Sequence, residues 1–243
     1  MKKNLIEIFS SIQGEGKYVG CRQIFLRFEG CNLACRYCDT EHRPGAHPSC
    51  RVERGAGTRR FEAWENPLSA EEVRYILRQM LQEVPHQAIS FTGGEPLLHA
   101  GFLREVAQGM ETRVLLETNG TLHEALGEVI DNVDIISMDI KLPSVLKEPL
   151  WDAHRRFLEI AGQKDLYVKL VVSEETGAEE FRQAVGLMAD HAPKALLVIQ
   201  PVTPHGGCRA ASPQKILDCQ GYALRFLQDV RVIPQTHKMI GQM

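Results

Sequence analysis

From Ser69 onward the chain alternates short apolar strands with amphipathic helices, and this alternation limits what it can fold into more than any other feature. Ser69 opens a helix, with Glu72 as its capping-box partner and Val73, Ile76, Leu77, Met80 and Leu81 as its apolar stripe. Strands are predicted at 88–91, 114–117, 134–138, 166–172, 196–200 and 230–233. Helices are predicted at 97–109, 122–131, within 149–162, at 178–189 and at 213–229. Upstream, residues 4–9 alternate as a strand would, 10–16 form a polar turn, and 23–29 form a second strand. About six βα units with apolar strands predict an α/β fold, a parallel sheet covered by helices. Polar residues gather at the strand C-termini, so the expected architecture is an incomplete, TIM-like barrel rather than a flat doubly wound sheet. With 243 residues, a single domain over 1–243 is expected. Residues 41–68 carry Pro44, Gly45, Pro48, Gly55, Gly57 and several arginines with little periodicity, and are expected to be an irregular, partly mobile insertion.

Charge and composition remove several classes of function. The net charge is −3 with both signs interspersed, which is no footprint for nucleic acid or a membrane surface. Glu7 interrupts the first apolar stretch too early for a signal peptide, and no apolar run reaches the ~18 residues of a membrane span. Seven cysteines is an odd number, and three sit too close together for a disulfide framework, so a reducing cytoplasmic compartment is expected.

Those three, Cys31, Cys35 and Cys38, have the spacing C-x3-C-x2-C, with Tyr37 just before the last. Three thiolates on one loop can hold three corners of a four-iron, four-sulfur cluster and leave one iron without a protein ligand. An open position on a metal is where chemistry can happen. The rival is a structural zinc with His42, His47 or Cys50 as fourth ligand, although zinc usually gathers two separated pairs and no second pair follows here. Cys21, Cys50, Cys208 and Cys219 have no such spacing and read as buried or incidental thiols. A second signal is Thr92-Gly93-Gly94-Glu95-Pro96 at the end of the strand at 88–91. Taken alone it is a strand-to-helix turn with Pro96 in the first helical turn. Its glycines also let backbone approach a ligand, and Glu95 can accept from an ammonium group.

Together the cysteine loop and the Gly-Gly-Glu-Pro turn resemble the radical S-adenosylmethionine (SAM) superfamily. That resemblance implies that the methionine end of SAM chelates the open iron while the Gly-Gly-Glu-Pro strand end holds its amino group. Ser11-Ile12-Gln13-Gly14-Glu15-Gly16 precedes the strand carrying Arg27, four residues before Cys31. An arginine on a strand is usually an ion-pair partner, but this fork-shaped cation suits a substrate carboxylate. Asp39-Thr40 follows the last cysteine, and the Thr40 hydroxyl offers a hard oxygen to Mg²⁺. With Glu117-Thr118-Asn119-Gly120 and Pro234-Gln235-Thr236-His237-Lys238, these motifs resemble the 7-carboxy-7-deazaguanine synthase family nearly end to end, residues 41–68 apart.

The family resemblance implies a homodimer using SAM, a 4Fe-4S cluster and Mg²⁺ on 6-carboxy-5,6,7,8-tetrahydropterin. A flavodoxin or ferredoxin would donate electrons. The resemblance implies SAM contacts at Tyr37, Cys38, Asp39, Gly94, Glu95, Ser137, Asp139, Lys141, Gln200, Pro201, Val202 and Thr203. It implies substrate contacts at Ile12, Gln13, Gly14, Glu15, Arg27, Thr92, Glu117, Asn119, His237 and Met243, with catalytic roles for Arg27 and Thr40. It further implies that SAM is cleaved to methionine and a 5′-deoxyadenosyl radical. The radical takes hydrogen from C6 of the pterin, the ring contracts and ammonia leaves. One departure stands out: Asp139-Ile140-Lys141 occupies the place of an expected Ser-Pro-Lys strand end. That triplet also suits an activase that makes a glycyl radical on a partner protein. Arg27 and the two terminal motifs favour a small carboxylated substrate instead, and a non-enzymatic zinc module is the remaining alternative.

Overall fold

In the computed structural model, which describes residues 1–146 and 148–242, a ten-stranded sheet carries the architecture. Its strands are β1 Leu5–Ile12, β2 Arg22–Phe28, β3 Ser49–Glu53, β4 Phe61–Glu65, β5 Ala88–Gly93, β6 Val114–Thr118, β7 Ile135–Asp139, β8 Asp165–Val172, β9 Leu196–Pro201 and β10 Val230–Val232. Their order across the sheet is β10-β9-β8-β7-β6-β5-β2-β1-β3-β4. From β2 through β5 to β10 every neighbouring pair is parallel. The crossovers are α1 Ala70–Glu83, α2 Ala100–Ala107, α3 His123–Val129, α4 Trp151–Ala161, α5 Ala178–His191 and α6 Pro213–Ala223. The expected α/β fold with a large, mostly parallel sheet is therefore observed. Helix α1 begins where its capping box places it, the Ser69 hydroxyl accepting from the Glu72 N–H. It buries Val73, Ile76, Leu77 and Met80, each such side chain stabilising the fold by about 2 kcal/mol. The last crossover helix, α6, stops at Ala223, short of its predicted extent, and the chain turns so that Leu227 enters the core ahead of β10.

Alternation along each strand sorts the side chains onto two faces. On one face Ile89 and Phe91, Leu116, Ile136, Val168 and Leu170, and Leu197 and Ile199 pack under the helices. On the other, Ala88, Leu115, Ile135, Tyr167, Leu196 and Val198 form a smaller apolar cluster at the N-terminal ends of the strands. Continuing in steps of two, this second face becomes polar toward the C-terminal ends: Thr92 on β5, Glu117 on β6, Asp139 on β7, Lys169 on β8 and Gln200 on β9. Apolar residues at one end and polar residues at the other place the site at the strand C-termini.

Residues 41–68 differ from expectation. Instead of an irregular insertion, most of this segment is a β-hairpin, β3 and β4, antiparallel to each other and joined to the sheet by β3 running parallel to β1. Cys50 and Val52 turn inward while Arg51 between them turns outward, a period of two hidden among glycines and arginines. The Glu53 carboxylate fixes the turn, accepting from the N–H groups of Gly57 and Arg59, and ties it to β1 through Ser10. Among the described residues no helix is long and apolar enough to cross a membrane.

Candidate functional site

Two adjoining cavities open at the C-terminal ends of the strands, of about 210 and about 400 Å³. Glu15, Arg27, Asp39, Thr40, Thr92 and Glu117 line both.

The first cavity is bounded by the cysteine loop. Cys31, Cys35 and Cys38 are free, half-buried thiols on its wall. Burial pushes the Cys31 and Cys35 thiols up, and at Cys35 the Lys141 ammonium pulls the other way. Among the described residues no three His, Cys, Asp or Glu side chains converge on a point suited to one metal ion. All three cysteines line this one cavity, from which they could hold three corners of a cluster. Of the three alternative fourth zinc ligands, His42 lines the same cavity and the other two do not. Cys50 lies in the main core, and the His47 ring nitrogen Nε2 is bonded to the Glu41 carbonyl.

Close backbone packing explains the glycines of the turn after β5. A Cβ on Gly94 would fall 1.8 Å from the Gly30 carbonyl oxygen, so only glycine lets the turn lie against the start of the cysteine loop. The Glu95 N–H donates to that same carbonyl at 2.8 Å. Gly94→Ala is therefore expected to separate the two segments and lower both iron content and SAM affinity, the latter by tenfold or more. Unchanged SAM affinity by equilibrium dialysis would contradict this account. From the other side, Gly206 presses on the Arg36 carbonyl, where a Cβ would again approach to 1.8 Å.

Glu95 is completely buried and does not line the cavity. Its carboxylate accepts from the Asn119 N–H (2.8 Å), the Thr118 hydroxyl (2.9 Å) and the Leu97 N–H (3.1 Å), joining the turn after β5 to the turn after β6. Burial raises its pKa to about 7 against the opposing effect of those hydrogen bonds. Asn119 reaches the cysteine loop, donating to Asn32 Oδ1 at 2.8 Å.

Further round the wall Tyr37 packs against Val171, Val202 and Cys208. Lys141 Nζ donates to the Tyr37 hydroxyl (3.2 Å) and pairs with Asp139 Oδ2 (3.2 Å). The other Asp139 oxygen, Oδ1, and the Gln200 side-chain oxygen are buried without a hydrogen-bond partner. Two orphaned acceptors, on the ends of β7 and β9 with β8 between them, suit the hydroxyl and amino donors of a nucleoside. Gly94, Val202 and Thr203 also line this cavity, whereas Ser137 is buried below it and Pro201 lies outside its lining.

The second cavity lies toward β1. Ile12, Gln13, Gly14 and His237 line it. The Gln13 amide donates to Glu117 Oε1 at 2.8 Å, and the Thr92 hydroxyl to Glu117 Oε2 at 2.8 Å. Gly14 is again a packing requirement, because a Cβ there would lie 2.2 Å from the His237 ring. The Gly14 carbonyl accepts from the Thr236 N–H, which seats the turn that carries His237. Arg59, at the tip of the β3–β4 hairpin, donates to the Gly241 carbonyl at 2.7 Å and so holds the following residues. Arg27 faces both cavities, but its Nε donates to Glu7 Oε1 at 2.8 Å, so one edge of its fork is already held. Met243, expected at the substrate, lies outside the described residues.

Lys169 is the main residue that sequence reasoning did not find. Its ammonium sits between the compartments, 2.6 Å from Glu15 Oε2 and 3.4 Å from Asp139 Oδ2. Burial alone would raise the Glu15 carboxyl, but Lys169 and a Gln235 hydrogen bond overcome that and hold it at about 2. A lysine inside the apolar run 166–172 was the available signal.

Comparison with known proteins adds to this geometry. The Radical SAM superfamily matches residues 25–171. The 7-carboxy-7-deazaguanine synthase of Geobacter sulfurreducens is 46% identical, over 98% of this chain and 97% of that protein. The protein of the same name from Methanocaldococcus jannaschii is 35% identical over 98% and 99%. Among solved structures, QueE from Escherichia coli gives a TM-score of 0.60 at 19% identity, covering 97% of this chain and 94% of that one. A radical SAM methyltransferase from Sphaerobacter thermophilus gives 0.62 at 13% identity, covering 88% and 66%. At these identities the structural likeness is one of fold.

Proposed function

The chain belongs to the radical SAM superfamily and, within it, to the 7-carboxy-7-deazaguanine synthases, and on that premise we propose how its residues serve the family's reaction. It is a radical SAM lyase of queuosine biosynthesis that converts 6-carboxy-5,6,7,8-tetrahydropterin to 7-carboxy-7-deazaguanine with loss of ammonia. The observation that carries the site assignment is the continuity of the two cavities. The cysteine loop and the Gly93-Gly94 turn face one, and the Gln13, Arg27 and Glu117 side chains meet it from the other. The activase and zinc-module alternatives give way to the near full-length relatives of this name.

Cys31, Cys35 and Cys38 would hold the 4Fe-4S cluster and leave one iron open for the methionine end of SAM. Together the cluster and SAM supply one-electron chemistry that removes a hydrogen atom from the substrate. The protein's own part is to position and enclose. Gly94 admits the methionine end against the cysteine loop. Tyr37 and Val202 would flank the adenine, the unpartnered Asp139 Oδ1 would accept from a ribose hydroxyl, and Lys141 would neutralise a carboxylate. Glu95 acts from behind the cavity wall by fixing Asn119 and the turn that carries Gly94. Ser137 and Pro201 would support the strand ends that carry these contacts.

On the substrate side Arg27 would anchor the pterin carboxylate. Ile12, Gln13, Gly14, Thr92, Glu117 and His237 would frame the ring, and Glu117 can accept its N–H donors. Thr40 lies at the junction of the cavities, where its hydroxyl can join a Mg²⁺ held chiefly by substrate oxygens and water. We further read the sheet as a partial barrel of about six βα units in one domain. The same reading makes the enzyme a cytoplasmic homodimer that receives electrons from a flavodoxin or ferredoxin.

Anaerobic incubation with SAM, a reductant and carboxytetrahydropterin is expected to yield methionine, ammonia and the carboxylated deazaguanine. SAM cleavage without that product would contradict the substrate assignment. Arg27→Ala is expected to keep its iron while the pterin dissociation constant rises about tenfold or more, the loss of a charge-assisted hydrogen-bond pair. Unchanged pterin affinity would remove Arg27 from the carboxylate site.

A further inference from the structure

The β3–β4 hairpin contributes to the substrate cavity a residue for which the family motifs make no provision. Strand pairing puts Glu7 of β1 opposite Arg27 of β2 on one side and opposite Arg51 of β3 on the other. Arg27 is in turn level with Thr92 of β5. Four neighbouring strands thus carry Arg51, Glu7, Arg27 and Thr92 in one row across the sheet, and all four line the second cavity.

The charges along this row do not cancel. Glu7 Oε1 is held by Arg27 Nε at 2.8 Å, while Arg51 Nη1 stands 3.5 Å from Oε2 and its side chain is 57% exposed. Two guanidinium groups therefore share one carboxylate. The other acids near by are engaged elsewhere: Glu15 with Lys169, Asp39 with Lys238 and Glu41 with Arg43. Glu117 is held by the neutral Gln13 and Thr92, on the far side of Arg27 in the row. The guanidinium excess stays on the wall formed by β3, β1 and β2. Arg51 is also oriented, since its guanidinium lies over the Phe61 ring of the same hairpin at 4.4 Å.

We propose that Arg51 is a specificity-determining residue, a second guanidinium that with Arg27 selects a carboxylated pterin over one lacking the carboxylate. This rests on the pterin reading of the site. Glu7 then acts as the spacer that keeps both forks on the cavity side of the sheet. A planar fork matches a carboxylate in two-point contact, which an ammonium does not.

The test compares anaerobic binding of 6-carboxytetrahydropterin and of unsubstituted tetrahydropterin to the iron-loaded protein with SAM present. The proteins are the unaltered chain, Arg51→Met and Arg51→Lys, with iron content and melting temperature recorded for each. For Arg51→Met, affinity for the carboxylated ligand is expected to fall about tenfold and that for the unsubstituted ligand by less than about twofold. Arg51→Lys is expected to fall between, and KM should rise more than kcat falls. Equal weakening of both ligands would make the hairpin a merely structural element and overturn the proposal. Unchanged affinity for the carboxylated ligand would overturn it too. An unaltered protein that does not distinguish the two ligands would contradict the pterin reading itself, and this proposal with it.

Discussion

Cys35→Ala is expected to abolish iron binding and all SAM cleavage while leaving the fold intact. With one of three corner ligands gone, two thiols on a short loop cannot retain a four-iron cluster, which protein thiolates hold from several sides. Cys35 is half-buried on a loop outside the apolar core, so its removal costs the folded state little. The useful contrast is Cys50→Ala. Cys50 is fully buried on β3 and burial pushes its thiol up to about 12, which disfavours the thiolate a metal would need. That variant is expected to keep its iron and lose about 1 kcal/mol of stability from vacated core volume. Metal analysis after anaerobic reconstitution, with far-ultraviolet circular dichroism for the fold, separates the two. Iron lost from Cys50→Ala and kept in Cys35→Ala would contradict the ligand assignment.

Lys169→Met is expected to give the largest loss of stability among the site substitutions. The side chain is 6% exposed and pairs with Glu15 at 2.6 Å, so its removal leaves the buried Glu15 carboxylate without its cation, while Lys141 still holds Asp139. Breaking a buried pair from one side costs about 3–5 kcal/mol, which for a chain of this size lowers the melting temperature by roughly 10 °C. The pH dependence carries a sign that identifies the cause. Glu15 titrates at about 2 when folded against an ordinary 4.5, so its contribution is complete above pH 4.5 and is lost as pH falls toward 2. Without Lys169, burial acts on Glu15 with less opposition and its carboxyl rises, so the stability lost through Glu15 between pH 4.5 and 2 should shrink and the variant's deficit should narrow as pH falls. A melting temperature unchanged by the substitution, or a deficit that does not narrow in acid, would remove Lys169 from this role.

The parallel α/β fold was legible because its signals are local: a capping box at Ser69, apolar stripes of helical period, and strands such as 114–117 bounded by turn residues. The cysteine loop and the Gly93-Gly94 turn were legible for a similar reason, since spacing within a few residues reflects the chemistry directly. The hairpin was not. Its alternation of Cys50, Arg51 and Val52 spans only three residues amid glycines and arginines, and it becomes a strand by pairing with β4 and β1. Composition described that segment well and its partner in the sheet decided its structure.

Long-range pairing likewise hid Lys169 and Glu7. Lys169 sits in an apolar strand, and its meaning depends on Glu15, 154 residues away. Glu7 read as an interruption in an apolar stretch, yet in the folded chain it stands between two arginines. Glu95 shows the converse limit. A sequence places a carboxylate at a turn but does not say which side it faces, and this one faces inward to Thr118 and Asn119.

The most direct test of the whole account is to follow the hydrogen at C6 of the substrate. With 6-carboxytetrahydropterin deuterated at C6, the reconstituted enzyme with SAM and reductant is expected to place deuterium in 5′-deoxyadenosine and to form 7-carboxy-7-deazaguanine. Deuterium retained in the pterin, with SAM cleaved at its usual rate, would contradict the claim that these two cavities bring cofactor and substrate together.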